Sequence, residues 1–529
     1  MHLIQMMNKI KIPLLIILPG VLLWAAWPPV SLWFFMFLGF IPMFQLEREM
    51  TEAKKWKWFL TIYASLLLWN ISTTWWVWNS TAAGALVMLI FNTLFMCIPW
   101  GLYRYSRRKI GEPAEYLFVV FWLTYEFLHH RWELSWPWLT LGNGLADAPW
   151  LVQWYDITGT LGGSAFILAM NVLLWKALRL RKPFYPVAAA GLFLFVWLSS
   201  VFNCWKWEKT RKPTGKAEVV VCQPSFDPWE EKFVRDPMDL EKEMIAISEK
   251  AITPNTKLLV WPETSLTDRI DTDYPNGHPL IQRLRELQQK HPGMRILTGA
   301  DMQQVYRNCP GKPNSTARGT SDPRTWWNAY NSGILLEDKD SISYYHKSIL
   351  VPGTEKMPFT DLMPFIDKWA ISLDENSISG SLGKSERPKA LGTQGFKVAP
   401  IICYESIYGE YTGRYVNDGA ELLCVVTNDA WWGNTPGYKQ HLAYSRLRAI
   451  EHRRWVARSA NTGISGFIDS EGKIVRKTKW WEKTAVSQEV ELYNYKTLYA
   501  RMGDLVWLLI LSAICLGLGT ALYLKTNRR

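Results

Sequence analysis

Thiols are scarce in this chain. Seven cysteines among 529 residues, an odd number with no paired spacing, exclude a disulfide framework and a cysteine-based zinc site. Histidine is nearly as sparse, at eight. His129 and His130 are neighbours, while His441 and His452 stand eleven apart with no acidic or thiol companion at ligand spacing, so no metal or other cofactor is expected. Acidic residues are outnumbered, 47 against 59 basic ones, for a formal charge of +12. The basic residues fall in short runs beside apolar segments rather than in one patch, which excludes nucleic acid as the expected partner and points to membrane topology.

What is abundant is apolar: 49% of residues are hydrophobic and 31 are tryptophan. They crowd into the first two hundred residues and the last twenty-odd, while the middle reads as a water-soluble α/β protein. A span needs roughly 20 apolar residues. Eight segments meet or approach that length: Ile12–Trp27, Ser31–Phe44, Trp58–Trp78, Ala82–Tyr103, Tyr116–Leu128, Gly163–Trp175, Phe184–Phe202 and Leu505–Leu524. Ser31–Phe44, Tyr116–Leu128 and Gly163–Trp175 are short, and half-buried helices are the alternative for them.

Loop charge supports the full count, because cytoplasmic loops are enriched in Lys and Arg near span ends. Lys9 and Lys11 precede the first segment; Arg48, Lys54, Lys55 and Lys57 follow the second; Arg104, Arg107, Arg108 and Lys109 follow the fourth. Lys176, Arg179, Arg181 and Lys182 follow the sixth, and Lys525, Arg528 and Arg529 the eighth. The alternate loops Pro28–Val30, Asn79–Thr81 and His129–Gly162 hold only Arg131 between them. This alternation predicts a bundle over residues 1–204, an external domain over 205–500 and a final span with tail over 501–529, both termini being cytoplasmic. The first apolar stretch runs through Trp27-Pro-Pro29 into the second with no small-residue cleavage site, so it is expected to be retained. Glu126 in the fifth segment is either a functional carboxylate or one partly solvated beside His129–Arg131. Trp75, Trp76, Trp78, Trp136 and Trp138 read as an interfacial belt.

In the external part, strand and helix patterns alternate, which favours a layered α/β sandwich. Strands are expected at Ala217–Cys222, Leu258–Trp261, Arg295–Gly299, Ser332–Leu336, Ser341–Tyr345, Lys397–Cys403 and Leu422–Thr427, and helices at Pro237–Ala251, Pro279–Gln289 and Lys439–Ser459. Asp338-Lys-Asp340 and Asp469–Gly472 read as hairpin turns. Three strand ends carry chemistry: Trp261-Pro-Glu263, Tyr344-Tyr-His-Lys347 and Ile402-Cys403-Tyr-Glu405. Singly, a Cys after Ile-Ile is a small core residue and a Lys a solvated charge. Together they form a set, since a thiol nucleophile needs a proton acceptor, which Glu263 supplies, and a cation for the thiolate and the oxyanion, which Lys347 supplies.

These three blocks resemble the Glu-Lys-Cys triad of the nitrilase superfamily. Tyr330-Asn331-Ser332 precedes the Lys block, Glu355 stands eight residues after Lys347, and Thr427-Asn-Asp-Ala-Trp431-Trp-Gly433 follows the Cys block. With seven apolar segments before the domain, one after it and the loop Trp136-Pro-Trp-Leu-Thr-Leu-Gly142, the chain is similar over nearly its whole length to the apolipoprotein N-acyltransferase family. One block departs: the family commonly reads Pro-Phe-Gly-Glu-Tyr where this chain has Pro352-Gly-Thr-Glu355-Lys356, although the Lys-to-Glu offset survives.

The resemblance implies an α-β-β-α nitrilase-like sandwich outside the bacterial inner membrane, in the periplasm. It implies acyl transfer from a membrane phospholipid, phosphatidylethanolamine foremost, through a Cys403 thioester to the N-terminal diacylglyceryl-cysteine of an apolipoprotein, without a cofactor and as a monomer. Glu263 acts as base and acid, and Lys347 with the backbone N–H of Tyr404 stabilises the oxyanion. Glu355 and Glu405 orient Lys347 and tune Glu263, and Trp229, Asn331 and Trp431 line the substrate pocket. Two rivals stand beside this reading: a membrane-anchored amidase or nitrilase with water as acceptor, for which one anchor suffices, and a transporter or scaffold with an idle triad. Against the second, Glu126 alone is an obvious intramembrane acid and no matching broken repeats occur.

Overall fold

A computed structural model describes residues 2–337, 341–360, 362–363, 381–505 and 507. The turn expected at 338–340 and nearly all of the eighth segment lie outside these residues. The chain forms two compact units. One comprises the residues up to Trp75, Leu86–Trp207 and the described residues from Arg501 on; the other comprises Trp76–Ala85 and Glu208–Ala500.

The first unit is helical, with α1 His2–Ala26, α2 Ile41–Glu49, α3 Lys55–Thr74, α4 Ala82–Ile110, α5 Ala114–His129, α6 Tyr155–Leu180 and α7 Phe184–Thr210. Among the described residues three helices, α4, α6 and α7, are long and apolar enough to cross a membrane, and Lys11–Ala26 is a shorter apolar stretch. Helix α4 leaves Leu86, Ile90, Leu94, Ile98 and Leu102 exposed, and α7 leaves Leu194, Phe195, Leu198 and Phe202 exposed. A helix that turns such a stripe outward is matched to lipid rather than to water.

Two segments differ from the expected spans. Ser31–Phe44 is not one helix: a 3₁₀ turn at Trp33–Phe37 gives way to the nine-residue α2, with Pro42 in its first turn. The interruption frees backbone groups, and Asn171 of α6 satisfies them, donating to the Met36 carbonyl at 2.7 Å and accepting from the Phe40 amide at 2.9 Å. Gly163–Trp175, by contrast, belongs to the much longer α6, which bends at Gly159, where φ is 62°. Glu126 is 3% exposed, so it is not a solvated carboxylate; it accepts from the Leu141 amide at 2.9 Å and Trp122 Nε1 at 3.0 Å, tying down the start of the second of two short 3₁₀ helices, Pro137–Leu139 and Leu141–Leu145. Of the expected aromatic belt, Trp75 and Trp78 are exposed but Trp76 and Trp138 are buried.

In the second unit the chain runs through β1 Gly215–Gln223, α8 Pro237–Glu249, β2 Thr256–Val260, β3 Leu266–Asp271, α9 Pro279–Lys290, β4 Arg295–Tyr306, β5 Arg318–Gly319, β6 Trp326–Leu336 and β7 Ile342–His346. It continues with β8 Val398–Ile402, α10 Gly409–Asn417, β9 Leu422–Thr427, α11 Pro436–His452, β10 Val456–Ala460, β11 Gly466–Ile468, β12 Ile474–Lys477 and β13 Thr484–Leu492. One sheet has the order β13-β1-β2-β4-β6-β5, with β3 also on β4 and β7 also on β6; the other has the order β12-β11-β10-β9-β8. Strands β1 and β2 lie against β10, and β6 against β8; α8 and α9 cover the first sheet, α10 and α11 the second. This is the expected α-β-β-α sandwich. Because both faces of the second sheet are covered, every residue of β8, β9 and β10 is buried, which explains the apolar runs of β8 and β9; β10 instead buries Arg458 and Ser459.

Helix α11 is shorter than the expected Lys439–Ser459. It stops at His452, where Arg453 takes a left-handed φ of 50°, and Val456–Ala460 pairs instead in parallel with β9.

Candidate active site

The site assembles at strand ends. Past β2, Trp261-Pro262 leads to Glu263, and the chain then turns sharply through Thr264 at φ 45°. Gly299 on β4 underlies this corner, with no room for a Cβ. Past β7 comes Lys347, whose amide donates to the Asn331 carbonyl at 2.8 Å. Past β8 comes Cys403, a non-glycine residue held at φ 48°, a strained corner at a strand end.

Glu263 is buried and fully engaged. Its Oε1 accepts from Asn331 Nδ2 at 2.8 Å and Lys347 Nζ at 3.3 Å, and its Oε2 accepts from the Asn428 amide at 3.1 Å. Lys347 Nζ also donates to Glu355 Oε1 at 2.8 Å. Burial opposes the Lys347 ammonium, but the charges of Glu355, Glu263 and Cys403 outweigh it and hold its pKa above the ordinary lysine range. Burial, reinforced by Glu263 and only partly offset by Lys347, pushes the Cys403 thiol well above the usual thiol range. A thiol shifted in that direction becomes a nucleophile only with a base to take its proton.

The supporting residues fall into place unevenly. Despite the altered block around it, Glu355 reaches Lys347, with its Oε2 accepting from the Val351 amide at 2.8 Å in a turn that contains Gly353 at φ 84°. Glu405 does not contact Lys347. Its carboxylate accepts from Tyr345 Oη at 2.6 Å, Ser348 N at 2.7 Å, Ile402 N at 3.0 Å and Tyr415 Oη at 3.3 Å, so it clamps the Lys347 and Cys403 loops through their backbones rather than orienting the ammonium itself. Tyr404 is buried with its ring edge-on to Tyr408. Asn331 bridges Glu263 and Glu355, donating to the latter at 3.1 Å, which makes it part of the carboxylate network rather than a free pocket group. Trp229 is 45% exposed and meets Trp431 edge-on at 5.1 Å; Phe233 stacks on the same Trp431 at 5.9 Å.

Other residues at the site were not singled out from the sequence. Behind Cys403, His441 pairs with Asp429 Oδ1 through Nδ1 at 2.9 Å and with Ser406 Oγ through Nε2 at 2.7 Å, while Ser406 Oγ donates to the Cys403 carbonyl at 2.7 Å. Arg458 donates to Asp429 Oδ2 at 2.6 Å. Burial opposes the Asp429 carboxylate, yet Arg458 and His441 hold its pKa below the usual range. All four side chains are buried, so this chain of polar groups braces the Cys403 peptide through its carbonyl. Lys232, three residues past Trp229, donates to the Glu263 carbonyl at 2.7 Å.

An acid, an amine and a thiol at three strand ends of an α-β-β-α sandwich are the groups that a thiol-dependent enzyme acting on carbon–nitrogen or related acyl bonds requires. The chain belongs to the carbon-nitrogen hydrolase family, whose model matches residues 216–498. Within that class it has the two-part build of one branch: residues 19–173 match the apolipoprotein N-acyltransferase N-terminal domain. Among its relatives, the apolipoprotein N-acyltransferase of Chlorobaculum tepidum is 29% identical over 96% of this chain and 95% of the relative. That of Geobacter metallireducens is 28% identical over 93% and 91%. Among solved structures, an amidase from Nesterenkonia sp. is similar at TM-score 0.35 and 14% identity, covering 54% of this chain and 92% of that one.

Proposed function

We propose that this protein is an N-acyltransferase of the bacterial inner membrane that moves a fatty acyl group from a phospholipid, phosphatidylethanolamine foremost, to the N-terminal diacylglyceryl-cysteine of an apolipoprotein. The observation that carries the reading is the buried Glu263–Lys347–Glu355 network beside Cys403, in a chain that also holds apolar helices of membrane length. The relatives' shared name supports the same reading.

In the first step Glu263 takes the thiol proton as sulfur attacks the ester carbonyl. Lys347 and the Tyr404 amide donate to the developing oxyanion, a role worth roughly 10²–10³-fold per donor. The tetrahedral species collapses, the C–O bond breaks, and Glu263 returns the proton to the departing glycerol oxygen, which leaves lysophospholipid and a Cys403 thioester. In the second step the acceptor amine attacks the thioester. Glu263 accepts a proton from nitrogen, the C–S bond breaks, the thiolate is reprotonated and an amide is formed. The catalytic unit works on the periplasmic side with both termini inside, in keeping with the loop charges.

The test is mass spectrometry of the full-length protein and a Cys403→Ala variant after incubation with phosphatidylethanolamine. A hydroxylamine-labile fatty-acyl adduct on the Cys403 peptide, discharged by a diacylglyceryl lipopeptide with formation of triacylated peptide, is the expected result. Folded wild-type protein that never acquires the adduct would rule the reading out.

A further inference from the structure

The five-residue turn Pro228–Lys232 links two parts of the site. Asp227 caps it, accepting from the Trp229 amide at 2.8 Å and the Glu230 amide at 3.0 Å, and the Lys232 amide closes it onto the Asp227 carbonyl at 2.7 Å. The outer side of the turn carries exposed Trp229. Its inner end carries Lys232, which is 2% exposed. The Lys232 ammonium donates to the Glu263 carbonyl at 2.7 Å and to Thr264 Oγ1 at 2.8 Å, and lies 5.4 Å from the centre of the Phe233 ring. A buried lysine is uncommon, and both hydrogen-bond partners of this one are neutral oxygens at a single backbone corner.

We propose that Lys232 is a positioning residue for the acylating half-reaction: it fixes the Glu263–Thr264 corner that aims the catalytic carboxylate, and it ties that aim to the turn carrying Trp229 and Phe233. The inference rests on the acyl-transfer reading above. Thr264 is β-branched and sits at φ 45°, a conformation that persists only when its surroundings hold it. Gly299 closes the corner from beneath, and Lys232 is the cation that holds it from the side of the turn. Movement of the aromatic turn to admit a lipid would withdraw this hold, so that the base is fully aimed when the turn is in place. The acyl-transfer steps above make no use of this ammonium, which touches the backbone of the base and not its carboxylate.

The hold is charge-assisted, which gives it a pH signature. The groups facing the ammonium are Glu263 beyond β2, Asp301 on β4 and Cys403 beyond β8. Burial lowers Lys232 to about 8 against their charges. The protonated amine grips the corner, so the contribution is present below that value and lost as pH rises through about 8. Lys347 and Cys403 are pushed above their ordinary ranges, and Asp301, which burial raises to about 7, ionises below this window.

The experiment is single-turnover acylation of the full-length protein in mixed micelles with phosphatidylethanolamine and no amine acceptor, followed by lysophospholipid release from neutral to alkaline pH. Wild type is compared with Lys232→Arg and Lys232→Met. Wild type is expected to show a falling limb near pH 8. Lys232→Arg should keep most of the rate and carry it past that limb, because guanidinium stays charged. Lys232→Met should acylate ~10²-fold more slowly at saturating lipid, with an unchanged half-saturating lipid concentration and no such limb. Acylation of Lys232→Met at the wild-type rate, or an unaltered limb in Lys232→Arg, would overturn the proposal. If Lys232→Met shows no cooperative melting transition, the Lys232→Arg profile decides alone. Wild type that forms no acyl-enzyme at any pH removes the acyl-transfer reading, and this proposal with it.

Discussion

An ideal Cβ on Gly299 would lie 2.5 Å from the Thr264 amide nitrogen and 2.6 Å from the Glu263 Cα, both backbone atoms that cannot swing aside. Gly299→Ala should therefore displace the Glu263 carboxylate and lower stability by about 1–3 kcal/mol, as overpacking does. A lowered melting temperature together with a loss of acyl-enzyme formation is expected; an unchanged rate would mean that the corner tolerates the shift. At this scale the sequence was most legible where a chemically active residue type followed a strand pattern, as for Glu263 and Cys403 after apolar runs and Lys347 after Tyr344-Tyr-His346. It was least legible where a group acts through its backbone: the Asn428 amide that binds Glu263 has no side-chain signature. Asp429 and His441 stand twelve apart, a spacing that matches no ligand pattern, and meet only because β9 and α11 fold back on one another. Glu405 was legible as a carboxylate two residues after Cys403, but its partners are two tyrosines and loop amides that only the tertiary fold brings together.

Among the elements, the segment after α3 carries an unexpected burden. Trp76 read as an interfacial aromatic, yet it is buried in the second unit, with its ring 4.7 Å from Trp432 and its Nε1 donating to Gln440 at 3.2 Å. Gly437 faces the same ring with no space for a Cβ. Trp432 in turn meets His441 edge-on at 5.6 Å, so Trp76 supports the polar chain behind Cys403. Trp76→Ala is expected to cost about 3–5 kcal/mol, the range for truncating a buried aromatic, and Trp76→Phe clearly less; melting of the purified variants in detergent measures both. A Trp-rich loop beside an apolar segment carries the same composition whether it meets lipid or protein, which is why periodicity could not separate the two. The same limit produced the overlong helix at Lys439–Ser459, where apolar spacing continues past His452 into a strand. The interruption within Ser31–Phe44 turns on Asn171, more than a hundred residues away.

For the molecule as a whole, the loop charges make a topological prediction that is independent of the chemistry. In a background otherwise free of cysteine, Ser80→Cys should react with a membrane-impermeant maleimide added from the periplasmic side, whereas Lys54→Cys should react only after the membrane is opened. The reverse pattern would invert the orientation and place the catalytic unit with the cytoplasm. The change of regime near residue 205 was legible because it is a bulk property of composition, but the sequence reading placed Trp76–Ala85 in the bundle over 1–204, whereas that segment packs within the second unit.

The second unit is not one stretch of chain. Trp76–Ala85 precedes the rest of it by more than a hundred residues. A recombination event that exchanged codons 208–500 for those of a relative would therefore transplant an incomplete fold, leaving Gln440 and Gly437 to meet whatever loop the host gene supplied. Functional chimaeras should arise only when both pieces travel together, so the gene is expected to be inherited as a linked pair of blocks and not as two interchangeable modules.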